Sequence, residues 1–135
     1  MMPQSPNPKT PKHPPCPPMT LGNMREHVIA LIKRHDISAH WVGRQDRAQA
    51  VHEFEEIWIA PIYSEISYAT ALHEIGHILG RYQTSHSVLV RERWARQWAR
   101  RNALMWTQTM ERSAATGMAR YALHAAKMCK PRKKP

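Results

Sequence analysis

His73, Glu74 and His77 stand in the order His-Glu-Ile-Gly-His. Residues four apart on a helix leave the same face, so both imidazoles can reach one ion at about 2.0–2.1 Å. Glu74 lies on the flank beside His73, where a carboxylate can take a proton from water without itself being a ligand. The chemistry this pattern implies is metal-assisted hydrolysis with Glu74 as general base, zinc being the divalent ion that imidazoles of this spacing most often hold. The pattern works only on a helix, and the flanking residues supply one. Ser64 is a good N-cap, Glu65 suits the positive end of a helix, and Gly80 is a natural residue just past its end, so a helix is expected over Glu65 to Leu79.

Ala71, Leu72, Ile75, Ile78 and Leu79 make the surroundings of the two histidines apolar, and a glutamate there needs a partner. Gly76 inside the helix costs about 1 kcal/mol relative to alanine, which points to another backbone packed closely against it. A hydrolytic zinc site has three protein ligands and an open position. Gln83, His86 and Glu92 compete for the third place. With Gly80, Gln83 falls where the longer His-Glu-x-x-His-x-x-Gly-x-x-His pattern has its last histidine, but an amide is a weak ligand for zinc. His86 has suitable chemistry but sits in a connecting loop. Glu92 is preferred, because Val88, Glu92, Ala95, Ala99 and Trp106 share one helical stripe and a carboxylate in an apolar stripe needs a cation. The alternative for Glu92 is an ordinary pair with Arg96 one turn on.

Other elements must hold this helix. Asn23 followed by Glu26 suggests a cap, with an amphipathic helix from Met24 to about His35. Ile37 to Val42 reads as a strand, Arg47 to Val51 as a further helix or strand, and Ile57 to Ala60 as a strand. Pro61 follows that last strand and lacks an N–H, so the strand either runs along a sheet edge, where an extended peptide could pair, or is a core strand that simply ends there. After a loop from Arg81 to about Ser87, helices are expected to about Thr107 and from Glu111 to about Lys127. Ala95 and Ala99 would let the first of these approach Gly76. The fold class is therefore α+β, a small sheet on three to four helices.

Eight of the eleven prolines lie within residues 1–18, a stretch too poor in apolar residues to offset its ordering entropy. Residues 1–20 are expected to be disordered, 21–126 to form one domain, and 127–135 to be a basic disordered tail. No secretory signal or membrane span is evident. Cys16 and Cys129 both fall in the expected loose ends, so neither a disulfide framework nor a cysteine metal site is indicated, and a cytoplasmic protein is expected. The formal charge of +10 would suit a nucleic-acid partner, but charge alone names none. Arg93, Arg96 and Arg100 with Trp94, Trp98 and Trp106 read mainly as a solvated face over core aromatics. Tyr82 and Tyr121 could each stabilise an oxyanion, and spacing selects neither.

The stretches Ile57-Trp58-Ile59, Ala71 to His77 and Arg91 to Ala99 resemble the ImmA/IrrE-like family of small gluzincin metallopeptidases, found in bacteria and mobile elements. The resemblance covers about half of the chain. It implies a zincin-like core, Zn2+ held by His73, His77 and Glu92, Glu74 as catalytic base, and a peptide or protein substrate such as a repressor. The family often reads Glu-x-Glu-Ala-x-x-Phe-Ala in its second helix, and here Trp94 stands at the second glutamate. Two other functions are weighed against this one. The first is a basic nucleic-acid-binding or protein-interaction module with a vestigial or structural zinc site; the second is a zinc hydrolase acting on a non-peptide amide.

Overall fold

In the computed structural model, which describes residues 20–128, the first helix, α1 (Leu21–Arg34), is capped by Thr20 rather than Asn23. The Thr20 hydroxyl accepts the Asn23 N–H at 3.1 Å, satisfying an otherwise orphan donor and moving the start three residues upstream of the expected Met24. Met24 and Val28 on the inner face are buried. The segments expected to be disordered, 1–20 and 127–135, lie largely outside the described residues, as do Cys16 and Cys129.

Three short strands form a mixed sheet: β1 (Ser38–Trp41), β2 (Gln49–Val51) and β3 (Glu56–Ile59), in the order β1-β3-β2. β3 runs parallel to β1 and antiparallel to β2. Of the two places open to the Ile57 strand, the edge is excluded and the core position with the strand ending before Pro61 is found, since β3 is central. Pro61 lies two residues beyond the end of β3, so its missing N–H takes nothing from the ladder. Ile57 and Ile59 point into the core, and Glu56 and Trp58 alternate to the other face, where Trp58 stacks on His40.

Helix α2 (Glu65–Leu79) has the expected bounds. Ser64 and Ser67 cap each other reciprocally, Ser67 N–H to Ser64 Oγ at 3.1 Å and Ser64 N–H to Ser67 Oγ at 3.0 Å. Tyr68, Ala71, Leu72, Ile75 and Ile78 anchor α2 in the core together with Ile57, Ile59, Ile62 and Val28. Gly80 caps the helix at φ −74°, so it is not there for left-handed backbone. A Cβ at Gly80 would strike the Gly76 carbonyl oxygen and lie 3.2 Å from that of Trp94.

Helix α3 (Val88–Asn102) stops five residues short of the expected Thr107, and α4 (Gln108–Met128) starts three residues before the expected Glu111. Two side chains explain the break. The Tyr68 hydroxyl accepts the Leu104 N–H at 3.0 Å, holding the chain out of helix. Thr107 then caps α4, its hydroxyl accepting the Met110 N–H at 3.2 Å and donating to Glu65 at 3.0 Å.

Candidate metal centre

The two histidines of α2 face α3 because Gly76 lets the helices touch. A Cβ at Gly76 would lie 2.5 Å from the Ala95 carbonyl oxygen, so only glycine permits this separation. Ala95 and Ala99 are buried on the facing side of α3, and Glu92, one turn before Ala95, is buried with them. The small-residue expectation is thus met by backbone contact.

Glu92 bridges both rings. Its Oε2 lies 2.6 Å from His73 Nε2 and its Oε1 3.0 Å from His77 Nε2. The rings stand edge to face, centroids 4.8 Å apart. One ligand atom from each of His73, His77 and Glu92 falls within 4.8 Å of the others, the sole such group of three among the described residues. Two imidazole nitrogens and a carboxylate oxygen match the donor set of a three-ligand hydrolytic zinc site.

Electrostatics follow from this packing. Burial opposes ionisation of Glu92, but the hydrogen bonds and charges of His73 and His77 prevail and lower its pKa to about 2. Burial likewise opposes protonation of His77, yet Glu92, Gln83 and Glu74 together raise its pKa above the ordinary value. Glu74, buried at 8% exposure, has its pKa raised chiefly by desolvation, partly countered by the two histidines. A carboxylate made more basic by burial is a better proton acceptor.

Of the competing residues, Gln83 is buried behind His77, its Oε1 2.8 Å from His77 Nδ1, the ring nitrogen opposite the one that faces Glu92. His86 lines the neighbouring cleft outside that group. The pairing of Glu92 with Arg96 is not formed; Arg96 instead bonds Glu111 of α4. Trp94 packs on the exposed Tyr82 ring at 4.9 Å, away from the carboxylate, and the side chain of Tyr121 lies outside the described residues.

Two cavities meet at Glu74 and Glu92. A cavity of about 680 Å³ runs along β2, from Ala48 to Glu53, past His77 and His86. A smaller one of about 220 Å³ lies between α2, α3 and α4, walled by Ala69, Ala99, Trp106 and Met118 beside His73. Arg96 borders it, and the Arg96 Nε is buried without a hydrogen-bond partner. Sequence reasoning missed His52, whose Nδ1 lies 2.9 Å from the His77 carbonyl oxygen and which also lines the larger cavity. No spacing rule links His52 to α2, because only the fold of β2 brings it there. Among the described residues no helix is long and apolar enough to cross a membrane. No family model, curated protein or solved structure matches the chain.

Proposed function

We propose that the chain is a zinc-dependent metallopeptidase with a zincin-like core, of the kind that the ImmA/IrrE-like family represents, acting in the cytoplasm on a peptide or protein. The observation that carries this reading is the convergence of His73, His77 and Glu92 within 4.8 Å, with the buried Glu74 beside them. His73 and His77 would hold zinc through Nε2 and Glu92 through a carboxylate oxygen. Bound there, the ion supplies Lewis acidity and lowers the pKa of a water molecule.

The residues of the chain do the rest. Glu74, at the junction of the two cavities, accepts the proton of the attacking water and returns it to the leaving amine. β2 is an edge strand and lines the larger cavity, so an extended peptide can pair with its free side and lie across Glu74. The small cavity, with Ala69, Ala99, Trp106 and Met118 on its apolar walls and Arg96 at its border, then receives a neighbouring substrate side chain. A regulatory protein as substrate is suggested by the resemblance of the motifs.

Two measurements on the purified full-length chain test this. Metal analysis by mass spectrometry should find stoichiometric zinc in wild type and His86→Ala and none in His77→Ala. Cleavage of a peptide library should occur with wild type and vanish with Glu74→Gln. Equal behaviour of wild type and Glu74→Gln would remove the enzymatic reading; steep salt dependence of DNA affinity, unaltered by Glu74→Gln, would favour a nucleic-acid-binding role.

A further inference from the structure

Gln83 is buried at 7% exposure in the connection between the helices that carry the histidines and Glu92. Its Nε2 lies 2.9 Å from the Arg91 carbonyl oxygen and 3.1 Å from that of Arg81. Only the nitrogen of an amide can face two carbonyl oxygens, so these contacts fix which way the amide points. Its oxygen must then be the atom 2.8 Å from His77 Nδ1. An amide oxygen only accepts, so the proton of this hydrogen bond resides on His77 Nδ1. In the neutral ring this leaves Nε2 bare and facing Glu92.

We infer that Gln83 is a positioning residue for the metal centre, selecting the His77 tautomer that can bind a cation and locking the two helices into one frame. This rests on the zinc reading above. The second function follows from the same contacts. The Arg91 carbonyl belongs to the residue before Glu92, so one side chain ties His77 of α2 to the turn of α3 that carries Glu92. Arg91 reinforces the tie by donating from its guanidinium to the Ser85 carbonyl.

Glutamine alone among similar side chains meets all three partners. Leucine fills the volume with no acceptor for Nδ1. Glutamate keeps an acceptor but turns its second oxygen towards two carbonyls. Asparagine is one methylene short. The position also matches the last histidine of the longer zinc pattern, yet its geometry makes it a holder of a ligand rather than a ligand. Groups in this role typically change metal affinity by about 10–100-fold when removed.

The test compares wild type, Gln83→Leu and Gln83→Glu as full chains. Zinc dissociation constants come from chelator competition, the visible spectrum of the cobalt-substituted form reports ligand geometry, and thermal melts report the metal-free fold. Gln83→Leu should bind zinc about 10–100-fold more weakly, with an altered cobalt spectrum. Gln83→Glu, which retains the acceptor, should recover part of that loss. Zinc affinity and cobalt spectrum unchanged in Gln83→Leu would overturn the inference while leaving the zinc site standing. Failure of wild type to take up zinc would bring down the functional proposal and this one together. A measurement that needs no substitution covers the case of a variant that does not fold. Long-range proton–nitrogen NMR of zinc-loaded wild type should find the His77 proton on Nδ1, and a proton on Nε2 would overturn the inference.

Discussion

The two seams on either side of α3 are built on different principles. Between α2 and α3 the backbones touch at Gly76 and Ala95, and the residues buried on α3 are Glu92, Ala95 and Ala99. Between α3 and α4 the contact is made by polar arms: Glu111 receives hydrogen bonds from Trp106 and Arg96 and a further ion pair from Arg100 at 3.1 Å. The first seam has no slack, because a close-packed backbone contact cannot be altered by even a methyl group without moving a helix. The second has adjustable parts and encloses a cavity. The candidate metal ligands sit at the seam without slack, and the smaller cavity opens beside the adjustable one.

This contrast is broken most severely at Gly76. Gly76→Val must push α3 away from α2, and we expect a loss of about 3 kcal/mol in denaturant unfolding, together with loss of zinc uptake. A variant that melts like wild type and still binds zinc would refute the claim that backbone contact sets the site. Next comes Glu92→Ala. It should weaken zinc binding by more than about 100-fold, as ligand loss exceeds the effect of losing a supporting group. Calorimetric titration showing wild-type affinity would remove Glu92 from the ligand set.

Tyr68→Phe probes the junction of the two seams. It removes the acceptor for the Leu104 N–H and the partner of His27 Nδ1 at 2.6 Å, and should cost about 1–2 kcal/mol by chemical denaturation. An unchanged midpoint would show that the break between α3 and α4 is held otherwise. The same pair sets a pH dependence. Burial lowers the His27 pKa below the ordinary imidazole value of 6.5, so the unfolded chain binds more protons than the folded one just below that pH. His27 therefore contributes full stability above about pH 6.5 and loses it as the pH falls through the lowered value. A His27→Gln variant should flatten this slope in melts taken across the window.

The smallest effect is expected at Glu111→Gln, at most about 1 kcal/mol, because its ion pairs are partly solvated. Its Trp106 hydrogen bond, with Arg96 and Arg100, lowers the pKa of Glu111. That stability is present above the ordinary carboxylate range and fades as the pH falls towards the lowered value. Hydrogen exchange at the start of α4 is the sensitive readout, and unchanged protection there would show that the polar arms do not hold the seam.

What could be read from the chain alone was what neighbours in sequence decide. Ser64, Glu65 and Gly80 bounded α2, the four-residue spacing put His73 and His77 on one face, and of the expected stripe Glu92, Ala95 and Ala99 are buried on α3, whereas Val88 is exposed and Trp106 lies beyond the helix. Each depends on helical geometry within a few turns, which sequence spacing reports directly. Tertiary structure decided the rest. The order of β1, β3 and β2, the arrival of His52 behind His77, the ending of α3 by Tyr68 and the use of Gln83 as a brace all join residues distant along the chain or through an orientation that no spacing records. Gly80 shows the division in one residue: its place after the helix and the press of the Gly76 carbonyl four residues back are local, but the Trp94 carbonyl 3.2 Å from where its Cβ would stand arrives only with the packing of α3.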